Sequence, residues 1–579
     1  MYDHLYTASA SPPDSKRLPI NRAKDPCPSA PDRRFSAMRL STFMAAAAGV
    51  GLSVPLLLGE APAAELDANS TETSCRNLEG STFAGATALS AEFIADGAKA
   101  EAFQDYEAET RLPEHCLIQA SFGSRTGYDG RKFELRFELR MPADWNGRFL
   151  FEGGGYMDGV DWPAYGSLFG MLSPNALDRG FAVVRTNSGH DSPDGNAMDG
   201  SFSYDQQAKL DYGFNALEKV TLSAKSMVSS YYGQSPDYSY FAGCSNGGRQ
   251  AMLVSQRYPD YFDGVVSGDP SFNISRLAPR LVWNIQVLAD IAPKDSSGRP
   301  ILSKTFSDND LKTIAGAVKS KCDARDGLED GLINDIAGCA FDPATLVCKG
   351  AKNDRCISPG QADAFKKIMI GPLNSDGEPL YSPLPYDTGI DGIWRFTFLG
   401  SSETGEGNSF VETAGLHTLR YHSLTPPDPD FDPMTMEIGE TLKDIRETQA
   451  LNDAEAVNMS TFAKDSKLII YNGVSDFALS VFELAHWYEK ADEATPGDIR
   501  EWARMFFVPG MGHCGGGFAT DKFDPLTAIV NWVEEDKAPD FLTAQGDSLP
   551  NAKRPVCAWP KVAHYQGGPA NKMNSFKCE

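Results

Sequence analysis

The chain has 579 residues, 53 of them basic and 78 acidic, for a formal net charge of −25. Hydrophobic residues make up 41% and aromatics 11%, enough for a sizeable core, which excludes an intrinsically disordered chain. The acidic balance argues against nucleic acid and against an anionic membrane surface as partners, because both repel a polyanion.

From Met38, MRLSTFMAAAAGVGLSVPLLLGEAPAAE has a basic start at Arg39, an apolar run from Phe43 to Leu58 and small residues at Ala61-Pro62-Ala63-Ala64. This is the layout of a secretory signal peptide. The run is short for a membrane span and is interrupted by Pro55 and Gly59. Residues 1–64 are therefore read as leader and signal peptide outside the fold. The mature chain is expected to be secreted or periplasmic, with no stable membrane insertion. Of 11 cysteines, Cys27 lies in the leader and ten remain. An even number fits disulfides in an oxidising compartment, and the absence of C-x-x-C argues against zinc.

Further on, KFELRFELRMP (132–142) alternates apolar and polar residues as a strand does. NGRFLFEGGG (146–155) is a strand running into glycines, and FAVVRTNSGHD and YSYFAG are two more strands. LDYGFNALEKVTLSAKSMVSSYYG carries helical periodicity, as does RQAMLVSQRYP, and FDGVVSGDP reads as a buried strand. Strands alternating with helices indicate a parallel α/β sheet. From residue 272 to about 455 the chain turns rich in Asp, Gly, Pro and Cys, and strands are hard to find. The pattern resumes with KLIIYNGVSD (467–476), the helix FELAHWYEK and REWARMFFVPGMGHC (500–514). The reading is a split α/β domain, 65–271 and 456–579, with 272–455 inserted.

FAGCSNGGRQ (241–250) fits the nucleophile-elbow pattern G-x-S-x-G, with a strand before it and a helix after. Ser245 is the candidate nucleophile of an α/β-hydrolase. His513, in the glycine loop MGHCGGG, is the candidate base; His486, mid-helix beside Trp487, reads as a packed structural histidine. Asp476, between serine and histidine in the chain, is the candidate acid, its rival role being the N-cap of the next helix. An oxyanion hole needs two backbone N–H groups. One is expected from Asn246 and the other from Gly154 or Gly155. Cys244 precedes the serine and Cys514 follows the histidine, so a disulfide between them would clamp nucleophile to base. A cysteine nucleophile is the competing reading, disfavoured because Cys244 is not at the elbow's centre.

GCSNGGRQ, RYPDYFDGVVSGDP, YNGVSD and GHCGGG together resemble the tannase/feruloyl esterase family, which includes hydrolases of mono(2-hydroxyethyl) terephthalate. The resemblance covers nearly all of 75–579. It implies Ser245, Asp476 and His513 as the triad, an α/β-hydrolase fold with a lid, and the bridge Cys244–Cys514. It further implies the bridges Cys75–Cys116, Cys322–Cys339, Cys348–Cys356 and Cys557–Cys578. In CDARDGLEDGLIND (322–335), Asp323, Asp326 and Asp330 offer hard oxygen ligands suited to Ca²⁺, with the carbonyls of Leu328 and Leu332. A solvated acidic turn is the alternative; the resemblance implies a structural calcium in the lid. It also points to Trp394 and Leu479 as pocket residues. Leu479 stands where terephthalate-cleaving members place an aromatic, and Arg420 in LRYHSL is the obvious nearby basic residue for a terephthalate carboxylate, a structural role being its alternative.

The resulting expectation is a serine carboxylic-ester hydrolase acting on aromatic esters of hydroxycinnamoyl or galloyl type through an acyl-enzyme. A mono(2-hydroxyethyl) terephthalate-type hydrolase is one alternative. A catalytically silent polyphenol- or carbohydrate-binding protein on the same scaffold is another. The sequence assigns no oligomeric state.

Overall fold

Alternating and unbroken apolar runs become the strands of one mixed sheet. A computed structural model describes residues 68–100, 111–168 and 171–579; the leader and signal-peptide reading falls on residues outside that range. The sheet has ten strands. In chain order they are β1 (Thr82–Phe83), β2 (Ala86–Ile94), β3 (His115–Thr126), β4 (Lys132–Pro142), β5 (Arg148–Glu152), β6 (Ala182–Thr186), β7 (Tyr238–Cys244), β8 (Gly264–Gly268), β9 (Lys467–Gly473) and β10 (Ala503–Val508). Across the sheet the order is β1-β2-β3-β4-β6-β5-β7-β8-β9-β10. The first five in that order pair antiparallel. From β6 to β10 every pairing is parallel.

The helices that cover or extend this sheet are α1 (Ala216–Tyr232), α2 (Asn246–Arg257), α3 (Ile274–Ala289), α4 (Asp308–Cys322), α5 (Pro359–Ile370), α6 (Val481–Ala494) and α7 (Pro525–Glu535). The central strands are largely apolar because both faces are covered. In β9, Leu468 and Ile470 pack with α1, α2 and α6, while Ile469 and Tyr471 pack on the other face with Ile529 and Trp532 of α7. Each such side chain contributes about 1.5–3 kcal/mol by leaving water. In β4, Leu135, Phe137 and Leu139 face the α1 and α2 side while the polar residues between them are half-exposed.

Strands β2 and β3 are absent from the sequence reading. Their small apolar residues, such as Ala86, Ala88 and Ala91, are buried but carry little hydrophobic signal. They extend the sheet antiparallel, and Cys75–Cys116 ties the N-terminal segment to β3.

Between β8 and β9 the chain leaves the sheet and builds the inserted segment with α3, α4 and α5. Its apolar cluster includes Leu277, Phe365 and Trp394, and it also takes in Val474, Phe477 and Leu479 from the end of β9. The inserted segment and the end of β9 therefore share a core, and from Leu66 to Glu579 the chain is one compact unit. The five disulfides are Cys75–Cys116, Cys244–Cys514, Cys322–Cys339, Cys348–Cys356 and Cys557–Cys578. These are the pairs that the resemblance implies. Among the described residues no helix is long and apolar enough to cross a membrane.

Candidate active site

Four adjacent strands, β7 to β10, end on one edge of the sheet, and the site is built there. Ser245 follows β7 with φ 62° and ψ −119°, a conformation rarely populated by a non-glycine residue. The turn is tight enough to demand its glycines. A Cβ on Gly243 would lie 2.7 Å from the backbone of Gly247, and one on Gly247 would lie 2.7 Å from the Gly154 carbonyl. Strand, elbow and the glycine run after β5 are thus pressed together without side chains between them.

Asp476 follows β9 and is 2% exposed. One carboxylate oxygen accepts from the Ala478 and Leu479 N–H groups, and the other meets Nδ1 of His513 at 2.6 Å. A carboxylate only accepts, so Nδ1 carries a proton, and in the neutral ring Nε2 keeps its lone pair. The N-cap role is filled instead by Ser480, whose hydroxyl accepts from Phe482 N–H. Burial works against a charge on His513, but the Asp476 charge and hydrogen bond, with the Asp269 charge, outweigh it and raise the imidazole to about 9. Cys244 and Cys514 are bonded to each other, with Cα atoms 6.0 Å apart, which removes the cysteine-nucleophile reading. His486 is exposed on α6, and the packed role expected for it does not occur, because its position points off the helix's buried face.

The glycine run after β5 distinguishes the two oxyanion candidates. The Gly154 N–H donates to Gln250 Oε1 at 2.9 Å, so Gly154 is not available to a ligand and that expectation is corrected. The Gly155 N–H has no partner among the described residues. Asn246 opens α2, where a first-turn N–H has no helical acceptor. Its side chain is fixed from three directions: Nδ2 donates to Asp158 Oδ1 at 2.8 Å, and Oδ1 accepts from Arg249 Nε at 2.8 Å and Tyr212 at 3.2 Å. Asp158 also accepts from Gln250 Nε2 and from Ser188. One buried carboxylate thereby holds both the elbow and the side chain that occupies Gly154.

Ser245 and His513 both open on a cleft of about 700 Å³, continuous with solvent. Its wall is largely apolar, from Ile274, Leu277 and Leu281 on α3 to Phe410, Met198 and Leu479. Among the described residues no lysine or arginine lines it. Arg420 is spent elsewhere: Nε and Nη2 both donate to the Phe431 carbonyl. Trp394 is not at the cleft. It is fully buried among Phe306, Phe365 and Phe398, because the lid needs a large side chain at the centre of its own core.

The family model for tannase and feruloyl esterase matches residues 121–579. The chain belongs to the tannase and feruloyl esterase family. It is a carboxylic ester hydrolase. It is 38% identical over 515 residues to the mono(2-hydroxyethyl) terephthalate hydrolase of Piscinibacter sakaiensis, covering 81% of this chain and 85% of that protein. It is 29% identical over 478 residues to a probable feruloyl esterase of Arthroderma benhamiae, covering 76% and 81%. Among solved structures, feruloyl esterase B from Aspergillus oryzae superposes with a TM-score of 0.73 at 22% identity, covering 88% of this chain and 100% of that one. Tannin acyl hydrolase from Aspergillus niger gives 0.67 at 20%, covering 88% and 94%. At those identities the structures show the shared α/β-hydrolase fold.

In this esterase the acidic loop of the lid lies nearer the site than its sequence position suggests. It follows α4 and is pinned by Cys322–Cys339. Asp323 and Asp326 are 2% and 3% exposed. Burial pushes both carboxyls up, and the Asp330 charge adds to that. Asp323 faces Lys319 only at 3.9 Å, and Asp330 pairs with Arg554 at 2.5 Å. From this loop the Gly331 carbonyl accepts from Thr388. The neighbouring Asp387 accepts from Ser475, beside Asp476, at 2.5 Å and from the Gly510 N–H, on the His513 loop, at 3.1 Å. The inserted segment thus contacts both the loop that carries Asp476 and the loop that carries His513.

The sequence reading misses Asp269, which ends β8 between the elbow and the acid. An oxygen of Asp269, an oxygen of Asp476 and a ring nitrogen of His513 lie within 4.8 Å of one another. A carboxylate directly after a short, mostly apolar strand, as in VVSGD, is the one sequence signal that marks it.

Proposed function

We propose that this esterase hydrolyses uncharged aromatic carboxylic esters, of hydroxycinnamoyl or galloyl type, through an acyl-enzyme on Ser245. The observation that carries the reading is a strained serine and an Asp476-held histidine opening on the same apolar cleft. Ser245 Oγ forms a bond to the ester carbonyl carbon as its proton passes to His513 Nε2. The N–H groups of Asn246 and Gly155 take the charge that develops on the carbonyl oxygen. The C–O bond to the alcohol then breaks, and the alcohol leaves with the proton from His513. Water, deprotonated by the same Nε2, releases the acid and restores Ser245. Asp476 holds the Nδ1 proton throughout.

The relative from Piscinibacter sakaiensis favours a second reading, cleavage of mono(2-hydroxyethyl) terephthalate. Its substrate carries a free carboxylate, and burying an unpaired charge costs several kcal/mol. With no lysine or arginine on the cleft wall among the described residues, methyl ferulate or methyl gallate is expected to exceed mono(2-hydroxyethyl) terephthalate in kcat/KM by about tenfold or more. A steady-state comparison of the three decides it; a faster terephthalate monoester would overturn the neutral-substrate reading.

The lid loop fits a calcium ion in charge and donor type. Asp323, Asp326 and Asp330 with the Leu328 and Leu332 carbonyls would hold it, and its contribution would be to neutralise the buried carboxylates. At a hundredfold excess over Kd, binding adds about 2.7 kcal/mol, so EDTA is expected to lower Tm by about 2–3 °C and added Ca²⁺ to restore it. A Tm indifferent to both would remove the calcium. Export through residues 38–64 completes the proposal, supported by five disulfides of the kind that persist in oxidising compartments.

A further inference from the structure

We infer that Asp269 is a second carboxylate for His513, a positioning residue that stabilises the imidazolium formed during turnover and ties the acid and base loops together. The inference rests on the serine-esterase reading above and goes beyond the triad of that reading.

Asp269 is fully buried. Its carboxylate accepts the Gly473 N–H, at the end of β9, at 2.8 Å. The Cys514 N–H, beside His513, acts on the same carboxylate and lowers its pKa. Its backbone N–H donates to the Tyr471 carbonyl at 2.8 Å. The same side chain packs on the clamp, with Oδ2 3.6 Å from Cys244 Sγ. That sulfur is bonded to Cys514 and has no proton to donate, so the contact is packing. Asp269 and Cys514 both hold positive φ, 34° and 60°, where non-glycine residues are strained. One carboxylate therefore touches the neighbours of all three triad residues.

A structural role alone would be served by any acceptor of two N–H bonds. The charge has a further effect because of where it lies. Within 4.8 Å of a His513 ring nitrogen, the negative charge of a wholly buried carboxylate favours imidazolium over imidazole. The charged and titratable groups around the histidine are few. Asp476 comes from the end of β9 and Asp269 from the end of β8; burial and the Asp476 charge push the Asp269 carboxyl up to about 8, and the His513 charge pulls it down. The Asp269 charge bears on the buried Tyr471 of β9. Arg280 of α3 reaches the Phe477 and Ala478 carbonyls of the acid loop. Asp476 occupies the Nδ1 proton, so Asp269 acts through space.

The test is the acid limb of kcat/KM against pH for methyl ferulate. The base must be neutral, so activity falls as pH drops through the His513 value, and two carboxylates place that fall above the ordinary 6.5. Asp269→Asn and Asp269→Ser remove one charge, and the fall is expected to move to lower pH by about one unit or more. A limb that stays in place while only the plateau drops would reduce Asp269 to a structural acceptor. If neither variant folds, Asp476→Asn answers instead, read by the pH dependence of fluorophosphonate labelling at Ser245. Asp269 is then the one carboxylate left beside the imidazole, and the limb is expected at or above 6.5; burial without that charge would push it below, and overturn the inference. Labelling of the wild-type chain separates the two levels. No labelling at Ser245 refutes the esterase mechanism itself, whereas normal labelling with an unmoved limb refutes only the role of Asp269.

Discussion

Replacing Ser245 by alanine lowers kcat for methyl ferulate by about 10⁶-fold and abolishes fluorophosphonate labelling. Loss of one hydroxyl has that effect because the remaining groups act only through it. His513 has no proton to take, and Asp476 has no imidazolium to orient. What survives is the rate conferred by binding and by the two N–H donors, about 10³–10⁴ over water in enzymes of this kind. The backbone strain at φ 62° is common to serine and alanine, so Tm is expected to stay within about 1–2 °C of wild type. Activity and stability thus separate, which a residue that merely supported the fold could not show. Wild-type turnover in the purified variant would remove Ser245 from the chemistry, and with it the acyl-enzyme. A wild-type protein that binds methyl ferulate but neither turns it over nor labels would instead be the silent binder on a hydrolase scaffold.

The features most legible in the sequence are those fixed by local rules. A strand entering G-x-S-x-G must turn sharply, and the close approach of Gly243, Gly247 and Gly154 is the physical content of that pattern. The parallel strands are legible because burial on both faces makes them largely apolar, as in VVSG and LIIY. What escapes is set by contacts between distant segments. Gln250 and Gly154 are 96 residues apart, so which glycine keeps a free N–H cannot be seen from a run of three. Trp394 carries the same letter whether it lines a cleft or fills a core, and the lid's packing decides. The acidic loop looks remote from the triad in the chain, yet through Thr388 and Asp387 it reaches both Ser475 and Gly510. Asp269 is hidden for a related reason. Its meaning comes from the order β7-β8-β9-β10, which places it between elbow and acid, and strand order is not written in any one segment.

That same strand order makes the Cys244–Cys514 bond the largest single determinant of stability expected here. Its two ends lie on β7 and beyond β10, with β8 and β9 between. At about 4.8 Å per strand the His513 loop has to reach back across roughly 14 Å to meet the elbow. Nothing in the ladder forces it to do so, since β10 pairs with β9 alone in the sheet. The bond closes a loop with a sequence separation of 270, against 8 to 41 for the other four. Chain entropy then gives about 5–6 kcal/mol, a model-dependent figure, or a fall of about 5 °C in Tm for a unit of this size. The double variant Cys244→Ala with Cys514→Ala, which leaves no free thiol, is expected to show that fall and in addition to lose about 100-fold in kcat. The second effect follows because a displacement of about 1 Å between serine and base costs that much. Thermal melts and steady-state kinetics on the one variant tell the contributions apart. Lower Tm with full kcat would mean that the Gly473 N–H bond to Asp269 and the Asp387 contacts to Ser475 and Gly510 hold the geometry without the bond. Unchanged Tm and kcat together would mean that the His513 loop finds its place by packing alone.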